Sequence, residues 1–79
     1  MKIRVQLYGP LQKTIPGYNH TEGVELDMAD DACVKDVLET MGISDSGSAI
    51  AICNARLIGP DERPEPGSTI VIFESVYGG

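Results

Sequence analysis

Tryptophan is missing from this chain, and phenylalanine and histidine occur once each, as Phe73 and His20. A core with so few large rings must be mostly aliphatic. A single histidine leaves metal ligation to carboxylates and thiols gathered by folding, so no metal site is expected. There are two cysteines, Cys33 and Cys53, and neither has a CxxC partner. Two thiols so placed are no disulfide framework. They read as small core or near-core residues, kept reduced in a cytoplasmic protein. The start, Met1-Lys2-Ile3-Arg4-Val5, has no signal-peptide apolar block, and no run approaches transmembrane length. No membrane partner is expected.

Positive charge is also scarce. Six Lys and Arg stand against twelve Asp and Glu, a formal net charge of −6. The six are scattered (Lys2, Arg4, Lys13, Lys35, Arg56 and Arg63), so no basic run exists. The net field repels phosphate backbones, and no nucleic-acid partner is expected. It favours encounter with a basic protein surface. At 79 residues the chain is one domain. A domain this small buries only about 60% of its unfolded surface. That leaves little room for an internal active site. Function is therefore expected at the surface or at an end, and the protein is not expected to be an enzyme on its own.

Periodicity gives an order of elements. Ile3, Val5 and Leu7 alternate with Lys2, Arg4 and Gln6, a strand with one buried face. Tyr8 continues the polar side, and Gly9-Pro10 ends the strand. Leu11 to Asn19 allows a helical turn anchored by Leu11 and Ile15. Val24, Leu26 and Met28 alternate with Glu25 and Asp27, a second strand forming a hairpin with the first. Val34, Val37, Leu38 and Met41 follow the i, i+3, i+4, i+7 rule of an amphipathic helix. Asp31 is its expected N-cap and Gly42 its C′ residue. Residues 44–48 read as loop. Ala49 to Cys53 is an apolar run of strand length, with small residues alternating with Ile. Asn54-Ala55 reads as a tight turn into a short strand at Arg56-Leu57-Ile58. Pro60, Pro64 and Pro66 exclude a long element before the last strand, Thr69 to Phe73.

The expected order is β-β-α-β-β-β, an α+β fold with a mixed sheet packed on one side against one main helix. If the first and last strands pair in parallel at the centre, the C-terminus is expected to leave from the end opposite the entry to the first hairpin turn. The last residues are Ser75-Val76-Tyr77-Gly78-Gly79. A Gly-Gly end without side chains can be a frayed terminus. It can also be a thin probe, carrying an ionised carboxylate into a channel closed to any Cβ.

Five segments together carry a resemblance. They are Met1 to Leu11, the helix opening Ala32-Cys33-Val34-Lys35-Asp36-Val37-Leu38, the turn Cys53-Asn54-Ala55-Arg56-Leu57, the strand entry Pro66 to Phe73, and Val76-Tyr77-Gly78-Gly79. In this order the chain resembles the sulfur-carrier family of the ubiquitin-like β-grasp fold. It is most similar to the small subunit of molybdopterin synthase, and also similar to the thiamine-pathway carrier. The resemblance implies a β-grasp domain over residues 1–75, with 4–5 strands on one helix, and a flexible tail over 76–79. It also implies that the Gly79 carboxyl group is the reacting centre, with Gly78 threading it. An E1-like enzyme would adenylate Gly79 with ATP and Mg²⁺, a sulfur donor would convert it to a thiocarboxylate, and the large synthase subunit would pass the sulfur to a pterin precursor. The carrier itself would bind no cofactor.

Tyr8, Leu57 and Phe73 fall where the family places an exposed apolar patch for partners. Arg56, Val76 and Tyr77 would also meet them. Departures from the family pattern are Tyr77 and Ser75 in the tail, Ala55 for a customary Gly, and Pro64 where a Leu often packs. Three other readings share the residues. One is a carrier for another acceptor, in a thiazole, cysteine or tungsten-pterin pathway. The second is a ubiquitin-like protein modifier, and the third is a plain binding module.

Overall fold

Alternation of apolar and polar residues starts the sheet. In the computed structural model, which describes residues 1–43 and 49–74, strand β1 spans Lys2–Leu7 and buries Ile3, Val5 and Leu7 to 1% exposure or less. A 3₁₀ helix over Gly9–Thr14 follows. It begins earlier than the expected turn because Pro10 presets the first helical φ. Leu11 is buried and Ile15 packs against the core, as their spacing suggested. Strand β2 is Val24–Asp27, helix α1 is Val34–Thr40, and strands β3, β4 and β5 are Ala49–Cys53, Arg56–Ile58 and Thr69–Glu74. The expected loop at 44–48 lies outside the described residues.

The five strands form one mixed sheet in the order β2-β1-β5-β3-β4. Strand β5 is central. It runs parallel to β1, with Arg4 opposite Thr69 and Leu7 opposite Ile72, and antiparallel to β3, with Ile50 opposite Phe73. Strand β2 pairs antiparallel with β1, and β4 with β3. Parallel strands finish at the same edge. The end of β5 therefore lies beside the end of β1, where the connection to β2 begins. This corrects the expected exit at the opposite end.

Val34, Val37, Leu38 and Met41 turn toward Ile3, Val5, Leu7, Ile70 and Ile72 to make the core. Each such side chain contributes about 1.5–3 kcal/mol when fully buried. The helix starts two residues later than expected, with Cys33 rather than Asp31 at the N-cap. Its first free donors are satisfied from a distance: the Val34 and Lys35 amides donate to the carbonyls of Glu62 and Pro60, each at 3.0 Å. Asp36 accepts from the Cys33 amide at 3.0 Å and from its thiol at 3.3 Å. At the other end Gly42 has φ +77°. Its amide donates to Glu39, and that of Ile43 donates to Leu38, which is a Schellman closure. Cys53 is buried and Cys33 half-buried, and both are free thiols. Pro64 is buried.

Candidate functional site

A sheet covered by one helix leaves its other face open, and strand parity decides what lies there. Outward residues are Arg4, Gln6 and Tyr8 on or just after β1, Val71 and Phe73 on β5, Ile50 and Ile52 on β3, and Leu57 on β4. The registers set them in rows. Ile50 stands opposite Phe73, and Tyr8, whose amide donates to the Ile72 carbonyl at 3.0 Å, falls on the other side of Phe73. The next row runs Gln6, Val71, Ile52, Leu57. Leu57 is 68% and Tyr8 42% exposed, the two large apolar side chains most open to water among the described residues. Ile50, Ile52, Val71 and Phe73 are half-buried.

The half of this face toward β2 is polar instead. Arg4 lies 3.6 Å and Lys2 4.0 Å from the carboxylate of Glu25. One half of the open face is thus an apolar patch, and the other an ion-paired surface.

Local geometry holds the patch in place. Asn54 and Ala55 have φ of +53° and +62°. Positive φ at both centres matches the right-handed twist of the flanking strands. That turn sets Leu57 opposite Ile52. Ala55 bears the conformation that glycine occupies without strain, and Asn54 does not relieve it. At the other corner the Tyr18 hydroxyl replaces a missing strand partner. It accepts from the Leu7 amide at 2.6 Å, where β2 no longer runs alongside. His20 meets the edge of Tyr8, with ring centroids 5.0 Å apart at 83°. These contacts hold the end of β1 in place, and the Tyr8 amide bonded to Ile72 ties it to β5.

Of the residues singled out from the sequence, Tyr8, Leu57 and Phe73 share the open face. Arg56 sits at the β4 rim, where its guanidinium is 3.2 Å from Glu62. The Gly59 amide, at 2.6 Å, and then Arg56 hold the Glu62 carboxyl below the usual carboxylate range. Arg56 is therefore engaged within the chain. Val76, Tyr77, Gly78 and Gly79 lie outside the described residues. Ile50, Ile52 and Val71 join the patch without having been singled out. Their strands are apolar on both faces, so alternation alone does not say which side meets the helix, and only the pairing assigns their faces. Among the described residues no group of three or more His, Cys, Asp or Glu could hold a metal ion. No helix there is long and apolar enough to cross a membrane.

An α+β sheet of five mixed strands grasping one helix is the β-grasp fold. Several solved structures share it. H. volcanii small archaeal modifier protein 1 superposes with a TM-score of 0.74 at 18% identity, over 95% of this chain and 98% of that one. A Pyrococcus furiosus protein provisionally named molybdopterin converting factor, subunit 1, gives 0.73 at 16%, over 95% and 98%. The HVO 2177 protein of Haloferax volcanii gives 0.76 at 18%, over 100% and 87%. At these identities the likeness is one of fold. No protein-family model and no curated protein sequence matches the chain.

Proposed function

We propose that this protein is a ubiquitin-like sulfur carrier, and that its cargo goes to a pterin precursor in molybdopterin synthesis. The Gly79 carboxylate attacks ATP on an E1-like enzyme, releasing pyrophosphate and leaving an acyl-adenylate. A sulfur nucleophile then displaces AMP to give the thiocarboxylate. A free carboxylate is a poor electrophile, and AMP supplies the leaving group it lacks. Mg²⁺ and cationic side chains of the activating enzyme offset the phosphate charge. On this reading the carrier is a co-substrate and the small subunit of a sulfurtransferase pair, and the catalytic groups belong to its partners.

The observation that carries this reading is the apolar half of the open face. It lies at the sheet edge where β5 ends, five residues before Gly79. A partner seated on Tyr8, Leu57 and Phe73 would have the glycine pair within reach, with Val76 and Tyr77 at its channel mouth. The β-grasp likeness to the P. furiosus protein supports the molybdopterin assignment.

Incubation with an E1-like enzyme, Mg-ATP and a sulfur donor, followed by intact mass measurement, tests it. A gain of about 16 Da marks oxygen exchanged for sulfur at an activated acyl group. No gain with an activating enzyme competent on another carrier would refute it. The likeness to a small archaeal modifier protein favours a second reading, in which the same adenylate is passed to lysine amines. Peptides with Gly79 joined to a lysine side chain would establish that reading.

A further inference from the structure

Strand β2 is an edge of the described sheet, and its outer side has no partner there. The register decides which backbone groups point outward. Met28 donates to the Met1 carbonyl at 2.7 Å, and Ile3 and Val5 stand opposite Leu26 and Val24. In an antiparallel ladder, alternate residues exchange both bonds with the neighbour. Val24, Leu26 and Met28 therefore bond toward β1. The amides and carbonyls of Glu25 and Asp27 point away, and none of them is paired among the described residues.

The core side of this edge is incompletely covered. Ile3 and Val5 are 1% and 0% exposed, yet Val24, Leu26 and Met28 beside them are only half-buried. Apolar surface thus continues past the last strand. The edge is also flanked by carboxylates. Asp27 and Asp30 are 79% and 96% exposed, with Glu22, Glu25 and Asp31 close in sequence. Lys2 and Arg4 are already shared with Glu25, and the terminal ammonium, 3.1 Å from Asp30 and 3.8 Å from Asp27, offsets one more charge between them. The surplus is negative.

We propose that this edge accepts an extended peptide segment from another protein, in which lysine or arginine alternates with apolar residues. The added strand would take the four free backbone groups of Glu25 and Asp27. Its apolar side chains would cover Val24, Leu26 and Met28, and its cations would lie beside Asp27 and the flanking acids. Main-chain bonds supply affinity in such strand addition, and alternate side chains supply selectivity. A second copy of this chain is disfavoured at the same edge, because it would set Glu25 and Asp27 against their own kind. The site is separate from the patch beside the end of β5 and does not rest on the sulfur-carrier reading.

A capped peptide alternating lysine and valine, titrated into the ¹⁵N-labelled protein, tests this proposal. Saturable shifts should concentrate on residues 23–28, with the Glu25 and Asp27 amides newly protected from exchange. An alternating glutamate and valine peptide should bind at least about tenfold more weakly. Asp27→Pro removes an outward donor without touching the β1 ladder and should weaken binding about as much, with the rest of the spectrum retained. Shifts centred on Leu57 and Phe73, equal binding of the acidic peptide, unchanged binding by a folded Asp27→Pro protein, or no saturable shift at millimolar peptide would each overturn it.

Discussion

Replacing Ala55 with glycine should make the protein more stable. Ala55 is exposed and has φ +62°, so its methyl group contributes no core packing. An L-residue in the left-handed region costs about 1–2 kcal/mol. Glycine removes that cost but makes the unfolded chain more flexible, which returns about 0.4–1 kcal/mol. The net gain is about 0.5–1 kcal/mol. For a domain of this size each kcal/mol moves the melting temperature by about 4–8 °C, so a rise of about 2–8 °C is expected. Thermal unfolding followed by circular dichroism measures it. Urea unfolding should show a higher midpoint with an unchanged slope, which separates a folded-state effect from a change in the unfolded ensemble. An unchanged or lower midpoint in both assays would refute the assignment of strain to Ala55.

Gly23 is the reverse case. It has φ +71°, and a Cβ there would lie 2.5 Å from the Val5 carbonyl oxygen, so Gly23→Ala should cost at least about 2 kcal/mol in the same urea assay. Leu57→Asp should leave stability within about 0.5 kcal/mol, because Leu57 is 68% exposed; if the patch anchors the activating enzyme, Gly79 adenylation should slow about thirtyfold, the size of a 2 kcal/mol hot spot. Acid should destabilise the fold through Asp36, whose carboxyl is held below its ordinary range first by the Cys33 amide and then by the Cys33 thiol. A lowered folded-state pKa means the contribution is complete above the ordinary carboxylate range and disappears as pH falls through it and below. The urea midpoint should therefore drop from about pH 5 downward, and Asp36→Asn should flatten that drop.

Much of this architecture is readable from local pattern. Lys2 to Leu7 alternates strictly, and only one face of such a strand can be buried. Val34, Val37, Leu38 and Met41 share one helical stripe, and Gly42 closes the helix because glycine enters the left-handed region freely. Asn54-Ala55 marks its own turn. These features depend on sterics within a few residues, which the sequence states directly. Tyr8 was legible as an exposed aromatic residue from the same alternation, whereas Leu57 was singled out only through the family resemblance.

Long-range pairing decided the rest. The run Ala49 to Cys53 is apolar on both faces. Only its ladders with β5 and β4 send Ala51 and Cys53 inward and leave Ile50 and Ile52 on the open face. The helix start moved from Asp31 to Cys33 because the carbonyls that meet its first amides come from residues 60 and 62. The exit edge followed from β1 and β5 running parallel. Periodicity within a strand says which residues share a face. Which face meets the helix, and which strands stand side by side, depends on groups far apart in the chain, and their contacts exist only once the sheet has closed.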